Sequence, residues 1–340
     1  MKDKSVYIEK RIFFYGIAVI AAVVLFFSGF SLGKNVGPEN KEGNKEQNQE
    51  IRQSGYAFIS PLLECEMDGN SPILKSAELK IKKTIQDEVI KKNPDNDVSL
   101  YYRDLKNGPG FGVNEQLGYS PASLLKVPLL IAYYKYSEQN SDIFARKILF
   151  DKPSPEFFQQ IQPKEHIKAG ESYTVSQLIE SMIKYSDNEA TNLLFQNIDS
   201  KNLSSVFSDL GINMPDIYNS NNSMSVKDYA SFFRILYNAS YLSRNLSEQA
   251  LELLSQVEYR NGLTAGIPAN IKLSHKFGER EALSEDKRIV RQLHDCGIIY
   301  HPDRPYLLCV MTKGKNFEDL ALIVSEISRI IYEQINSESY

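Results

Sequence analysis

Tyr119-Ser-Pro-Ala-Ser-Leu-Leu-Lys-Val-Pro128 is the stretch from which the rest of the chain can be read. Ser123 and Lys126 stand three residues apart, so on a helix they share one face and the lysine nitrogen lies beside the serine hydroxyl. A serine hydroxyl is a poor nucleophile until a nearby base takes its proton. A lysine can be that base only when its pKa falls, and apolar burial lowers it. Leu124, Leu125, Val127, Leu129 and Leu130 supply that surrounding. The free N–H groups at the start of such a helix can hold a developing oxyanion. The S-x-x-K spacing also occurs from Ser31, Ser181 and Ser284, so the spacing alone decides little. The site at Ser123 differs in the apolar run that follows its lysine.

Two further motifs lie downstream. Ser186-Asp187-Asn188 sits between two helical stretches and reads as a turn. A hydroxyl at Ser186 can relay a proton to a leaving nitrogen, and the amide of Asn188 can hold a substrate amide through its paired donor and acceptor. His275-Lys276-Phe277-Gly278 falls on a predicted strand. There Lys276 can attract a substrate carboxylate, and Gly278 lets a substrate backbone lie close to the strand.

Around these motifs the periodicities order the chain. Ala77–Lys91 has helical spacing, Asp97–Asp104 and Phe111–Asn114 read as strands about a turn at 106–110, and a helix is predicted from Ser123 to Glu138. Thr174-Val-Ser-Gln177 is a capping box opening the next helix. Helical spacing continues over 189–198, 202–210, 225–238 and 247–257. Strand character then appears at Ile271–Lys276, Gln292–His301 and Pro305–Thr312, followed by a helix at Asn316–Gln334. A sheet made from both chain ends with helices inserted between gives an α/β body plus a helical lobe. The cleft between the two is the natural place for a site.

The 340 residues are 42% hydrophobic and 24% charged with a net charge of −4, a globular composition without the basic footprint of a nucleic-acid binder. The three cysteines, Cys65, Cys296 and Cys309, form no C-x-x-C pair, and with four histidines they offer no zinc site of ordinary spacing. Cys296 and Cys309 flank a hairpin turn and read as buried free thiols, with a disulfide the alternative in an oxidising compartment. Residues 12–33 carry no charge and would form a helix of about 33 Å. With Lys2, Lys4, Lys10 and Arg11 before it, this run reads as an uncleaved signal anchor, longer than a cleaved signal's apolar core. The organisation expected is therefore a cytoplasmic N-terminus at 1–11, a transmembrane helix at 12–33, a flexible polar tether at 34–55 and an extracytoplasmic domain at 56–340.

Taken together and in this order, S-x-x-K, S-D-N and K-x-G resemble the signatures of the class A β-lactamases and related penicillin-binding serine hydrolases. The flanks Asp187-Asn-Glu-Ala-Thr-Asn-Leu-Leu194 and Gly262-Leu-Thr-Ala-Gly-Ile-Pro268 are similar too. The resemblance implies an antiparallel sheet flanked by helices plus an all-helical lobe. It implies that Ser123 is acylated, that Lys126 takes its proton, and that Ser186 and Lys276 pass a proton to the leaving nitrogen. The backbone N–H groups of Ser123 and Glu279 would form the oxyanion hole, and Asn188 and Gly278 would line the substrate. The implied partner is a β-lactam or a peptidoglycan stem peptide, with no metal and no cofactor.

Two departures shape the expectation. Phe277 stands where the family carries a hydroxyl for the substrate carboxylate, leaving that task to Lys276 with Arg280 or Lys313. The E-x-x-L-N segment whose glutamate activates the deacylating water is absent: no glutamate occurs from Ala190 to Ser247, and Asp216 is the nearest carboxylate in position. Acylation with slow deacylation is therefore expected. A D,D-peptidase, an esterase or a catalytically weak wall-binding or sensor module are the alternatives.

Overall fold

The computed structural model describes residues 50–65, 76–106, 110–153, 160–215, 223–284 and 286–338. The expected transmembrane helix, most of the tether and Asp216 lie outside the described residues. Among those described, no helix is long and apolar enough to cross a membrane.

The sheet is built from both chain ends. Strand β3 (Asp97–Asp104) alternates side chains between faces and buries Val98, Leu100 and Tyr102. It pairs with β4 (Gly110–Val113) and, from Asp97↔Lys313 to Asp104↔Tyr306, with β11 (Tyr306–Gly314). Strands β9 (Leu273–Leu283) and β10 (Ile289–Ile299) complete an antiparallel sheet of order β4-β3-β11-β10-β9. The α/β, antiparallel expectation holds. Strand β9 runs well past the predicted end at Lys276, because β10 offers it partners as far as Leu283↔Ile289. Gly278 lies within the strand, opposite His294.

Helix α1 (Ser76–Ile85), extended by one π-helical turn to Ile90, packs against the C-terminal helix α8 (Phe317–Glu338), which lies on β10 and β11. The inserted helices are α2 (Lys126–Ser137), α3 (Val175–Lys184), α4 (Asn188–Gln196), α5 (Ser200–Ser208), α6 (Val226–Tyr237) and α7 (Arg244–Leu254). Helix α2 buries every residue from Lys126 to Tyr134, as befits a helix that is apolar all round and runs through the centre of a lobe. Thr174 and Gln177 form the predicted capping box at the start of α3. Short ladders join β5 (Gly118–Tyr119) to β8 (Met224–Ser225), and β6 (Lys147–Leu149) to β7 (Ser172–Thr174).

Within the predicted tether, β1 (Glu50–Arg52) pairs with β2 (Leu62–Cys65). The segment between them is clasped by Glu248 on α7, whose carboxylate accepts the backbone N–H groups of Ala57 (2.8 Å), Phe58 (3.1 Å) and Ile59 (2.9 Å). Cys296 and Cys309 face each other in the β10–β11 register as buried free thiols.

Candidate active site

Ser123 sits in a 3-10 turn, Ala122–Leu125, that runs directly into α2. The turn is strained at its start. Ala122 has φ 48°, a left-handed conformation that costs a non-glycine residue about 1–3 kcal/mol. Three side chains from β9 and β10 hold the nearby Ser120 in place. Arg280 donates to Ser120 Oγ (2.6 Å), Gln292 Oε1 accepts the Ser120 N–H (3.0 Å), and His294 Nε2 donates to the Ser120 carbonyl (2.9 Å). His294 Nδ1 accepts the Thr312 N–H at 3.2 Å, which fixes this tautomer. Burial holds the imidazole uncharged and drops its pKa to about 4. Strand β9 also presses on the turn: a Cβ added at Gly278 would lie 3.0 Å from the Pro121 carbonyl oxygen and 3.1 Å from two Leu124 atoms. The space a side chain would take at Gly278 is thus filled by the serine turn, a constraint additional to the close substrate approach read from the sequence.

Lys126 is 2% exposed. Its Nζ lies 2.5 Å from the Ser186 carbonyl oxygen, 3.1 Å from Ser186 Oγ and 2.7 Å from Asn188 Oδ1. Lys276, fully buried, donates to Ser186 Oγ and to the Phe277 carbonyl, both at 2.9 Å. Ser186 Oγ therefore bridges two lysine nitrogens. Desolvation lowers Lys126 to about 7 against the pull of Asp187 and Glu279. Desolvation and then the neighbouring Lys126 push Lys276 well below the usual lysine range. Near neutrality the pair can hold an amine, a hydroxyl and a second amine in one line, which is a path for a proton.

Asp187 builds the turn between α3 and α4. One oxygen caps α4 through the N–H groups of Glu189 (2.8 Å) and Ala190 (3.1 Å), and the other accepts from Ile167 N–H (2.9 Å) and Ser181 Oγ (3.2 Å). The turn forces Ser186 itself to φ 61°, and that aims its hydroxyl between the lysines. Asn188 spends its oxygen on Lys126, so it holds that amine as well as lining the Ser123 cavity.

Two cavities flank this cluster. Ser123, Lys126, Asn188 and Glu279 line one of about 440 Å³, whose apolar wall includes Leu129, Phe195 and Phe207. The other, about 450 Å³, lies against Tyr185, Tyr259 and Phe277. Phe277 is 4% exposed and stacks on Tyr259 at a centroid distance of 4.2 Å, with the Lys276 ammonium 4.1 Å from its ring centre. Of the two cations offered for a substrate carboxylate, Arg280 is committed to Ser120 but lines the Ser123 cavity. Lys313 pairs with Asp97 at 3.6 Å on β3, and neither cavity includes it. The Glu279 side chain has a role that the sequence did not suggest. Its Oε1 accepts the Ile161 N–H at 2.6 Å, tying the loop before β7 to β9, while its Oε2 is buried without a hydrogen bond. Burial raises its pKa against the backbone N–H groups of Ile161 and Gln160 and the charges of Lys126 and Lys276. Among the described residues, no cluster of His, Cys, Asp and Glu is placed to hold a metal ion.

No curated protein matches the chain. Its fold is shared by many solved structures. PBP-A, solved in a mutant form as an acyl-enzyme complex with penicillin G, is 22% identical over 76% of this chain and 97% of that one, with a TM-score of 0.63. A β-lactamase from Sphaerobacter thermophilus is 19% identical over 75% and 97% (TM-score 0.63). A class A β-lactamase from Mycobacterium abscessus is 17% identical over 76% and 99% (TM-score 0.63). Residues 80–335 match the profile of the β-lactamase enzyme family, a span that holds the serine turn, the Ser186 turn and all of β9, and the chain belongs to that family.

Proposed function

We propose that Ser123 forms an acyl-enzyme with a β-lactam or a D-Ala-D-Ala-like peptide amide and releases it slowly. The observation that carries this reading is Lys126: buried, drawn down to about 7, one helical turn from Ser123 and joined through Ser186 Oγ to Lys276. The Ser123 hydroxyl gives its proton to Lys126 as its oxygen attacks the carbonyl. That proton returns through Ser186 to the leaving nitrogen as the C–N bond breaks. The N–H groups of Ser123 and Glu279 receive the oxyanion.

Slow release rests on the absence of the E-x-x-L-N segment: no glutamate occurs from Ala190 to Ser247. Glu279, the carboxylate among the described residues of the Ser123 cavity, holds the Ile161 N–H through Oε1. An esterase acting on the same serine is the second reading, favoured by the apolar Phe277 beside Lys276. We place the domain outside the cytoplasm, carried by the apolar segment at 12–33.

Intact mass of the full-length protein after exposure to a labelled penicillin tests the proposal. A lasting adduct on Ser123 is expected, absent from Ser123→Ala. A transient adduct with accumulating hydrolysed drug would replace slow release by efficient β-lactamase action. No adduct with β-lactam or ester would overturn the acyl-enzyme reading.

A further inference from the structure

The cavity of about 440 Å³ that Ser123 lines changes character from one end to the other. Helix α4 brings Asn188, Thr191, Asn192 and Phe195 to it, the i, i+3, i+4 and i+7 positions of one helix face. Asn188 holds the amine of Lys126, whereas Phe195 stands two turns on, about 10 Å along the axis. Helix α2 repeats the gradient, with Lys126 and then Leu129 three residues later.

Away from the lysine the wall is apolar. Leu203 and Phe207 enter from α5, four residues apart, and Met214 and Pro215 from the chain that follows it. Phe195 is only half-buried and Met214 is 38% exposed, so apolar surface stays accessible beside the nucleophile. Surface of that kind, in a concave site with a few polar groups at one end, is what an apolar ligand covers. The polar side chains nearby are turned to the protein: Thr191 Oγ1 donates to the Asp187 carbonyl (2.6 Å), the Asn192 oxygen accepts from Gln196 (3.2 Å), and Arg280 donates to Ser120. Acylation leaves one half of the substrate bonded to Ser123 while the other departs. Ser186, which returns the proton to the departing atom on the proposed route, is fully buried and does not line this cavity. The half that stays on Ser123 is therefore the half placed to fill it.

We infer that this cavity is an acyl pocket selective for an apolar side chain several carbons long, and that Phe195 and Met214 are residues that select it. The inference rests on the acyl-enzyme reading above and narrows its substrates to β-lactams, amides and esters that carry such a chain on the acyl half. In the step itself the bond from Ser123 Oγ to the acyl carbon forms and the bond from that carbon to the leaving oxygen or nitrogen breaks. The serine proton ends on the leaving atom, and no other reactant is needed.

The test uses the full-length protein with 4-nitrophenyl acetate and 4-nitrophenyl hexanoate, each acylation rate divided by the rate of the same ester with hydroxide. The hexanoate is expected to win by about a hundredfold, since each methylene taken from water is worth about fourfold. Phe195→Asp and Met214→Asp should each shrink that ratio severalfold by placing a charge on the apolar wall, and two separate variants guard against one failing to fold. A second pair, phenyl acetate and 4-butylphenyl acetate, lengthens the departing half instead and should show no comparable gain. A hexanoate-to-acetate ratio near one, a gain that follows the departing half, or a gain that neither variant moves overturns the inference while leaving the acyl-enzyme intact. If no ester and no penicillin labels Ser123, the acyl-enzyme reading fails and takes the inference with it.

Discussion

Two groups of basic side chains are buried in this molecule, and they are handled in opposite ways. Arg304, 15% exposed, reaches Asp104 through Nε and Glu78 through a terminal nitrogen, each at 2.6 Å, and both carboxylates are fully buried. Lys126 and Lys276 meet hydroxyl, carbonyl and amide oxygens, and no carboxylate lies within ion-pair distance of either among the described residues. An arginine cannot shed its proton inside a protein, so its burial must be matched by charge. A lysine can, and an unmatched burial is what makes it a base. The first cluster ties β3 and α1 to the turn before β11; the second joins two lysine nitrogens through Ser186 Oγ, the path proposed for the proton.

The contrast breaks most sharply at Lys126. Lys126→Met should slow acylation of Ser123 by about 10³-fold while raising the melting temperature, since a desolvated amine is replaced by an apolar chain of similar size. A melting temperature that falls, with acylation retained, would make this lysine structural. In the unaltered protein the acylation rate should climb with pH through about 7 as Lys126 loses its proton.

Arg304→Met is the mirror image. It strands Asp104 and Glu78 as uncompensated buried charges and should cost about 3–5 kcal/mol in denaturant unfolding. The acylation rate of the folded protein should stay within about twofold, because the site shares none of these groups. Loss of chemistry at unchanged stability would erase the distinction between the clusters.

His294 gives a third, pH-dependent comparison, a buried group kept neutral to hold the serine turn. The unfolded chain takes up a proton at the ordinary histidine pKa of 6.5, which the folded chain refuses until about 4. Its contribution is therefore whole above pH 6.5 and drains as the pH falls toward 4, by about 3 kcal/mol in all. His294→Asn should flatten that slope in urea titrations taken from pH 7 to pH 4.

The smallest effect belongs to Gly278→Ala. With Pro121 and Leu124 at 3.0–3.1 Å from the added carbon, the serine turn must yield by a few tenths of an ångström. About 1 kcal/mol of stability should be lost, and acylation should slow through displacement of Ser123. If acylation slows with no loss of stability, the glycine serves the substrate after all.

Much of this is legible in the sequence. Strand β3 lies at its predicted bounds, and the Thr174 capping box opens α3 as read. Each motif at 123–126, 186–188 and 276 is legible as a local pattern, the resemblance to the family joins them, and they meet at Ser186 Oγ. What escaped is what only the sheet register brings together. Arg280, Gln292 and His294 converge on Ser120 from 160, 172 and 174 residues away. Glu279 finds Ile161 across 118 residues. The dual capping by Asp187 hides inside a signature usually credited to its neighbours. Nothing in the periodicity of a single strand says which loop its carboxylate will touch.

The pairing of β3 with β11 also sets a clock. Asp104 finds Arg304 across 200 residues, so the sheet cannot close until the chain is almost wholly available. Such distant contacts make for slow folding, with loop entropy lost before any strand pairing is gained. Ser123 emerges early, yet the strands that clamp Ser120 and the lysine that completes the site come only after residue 272. A chain that has not yet made β9, β10 and β11 therefore lacks both Lys276 and the three side chains that hold Ser120. On the proposed acyl-enzyme reading, Ser123 has no complete proton path until those strands are in place.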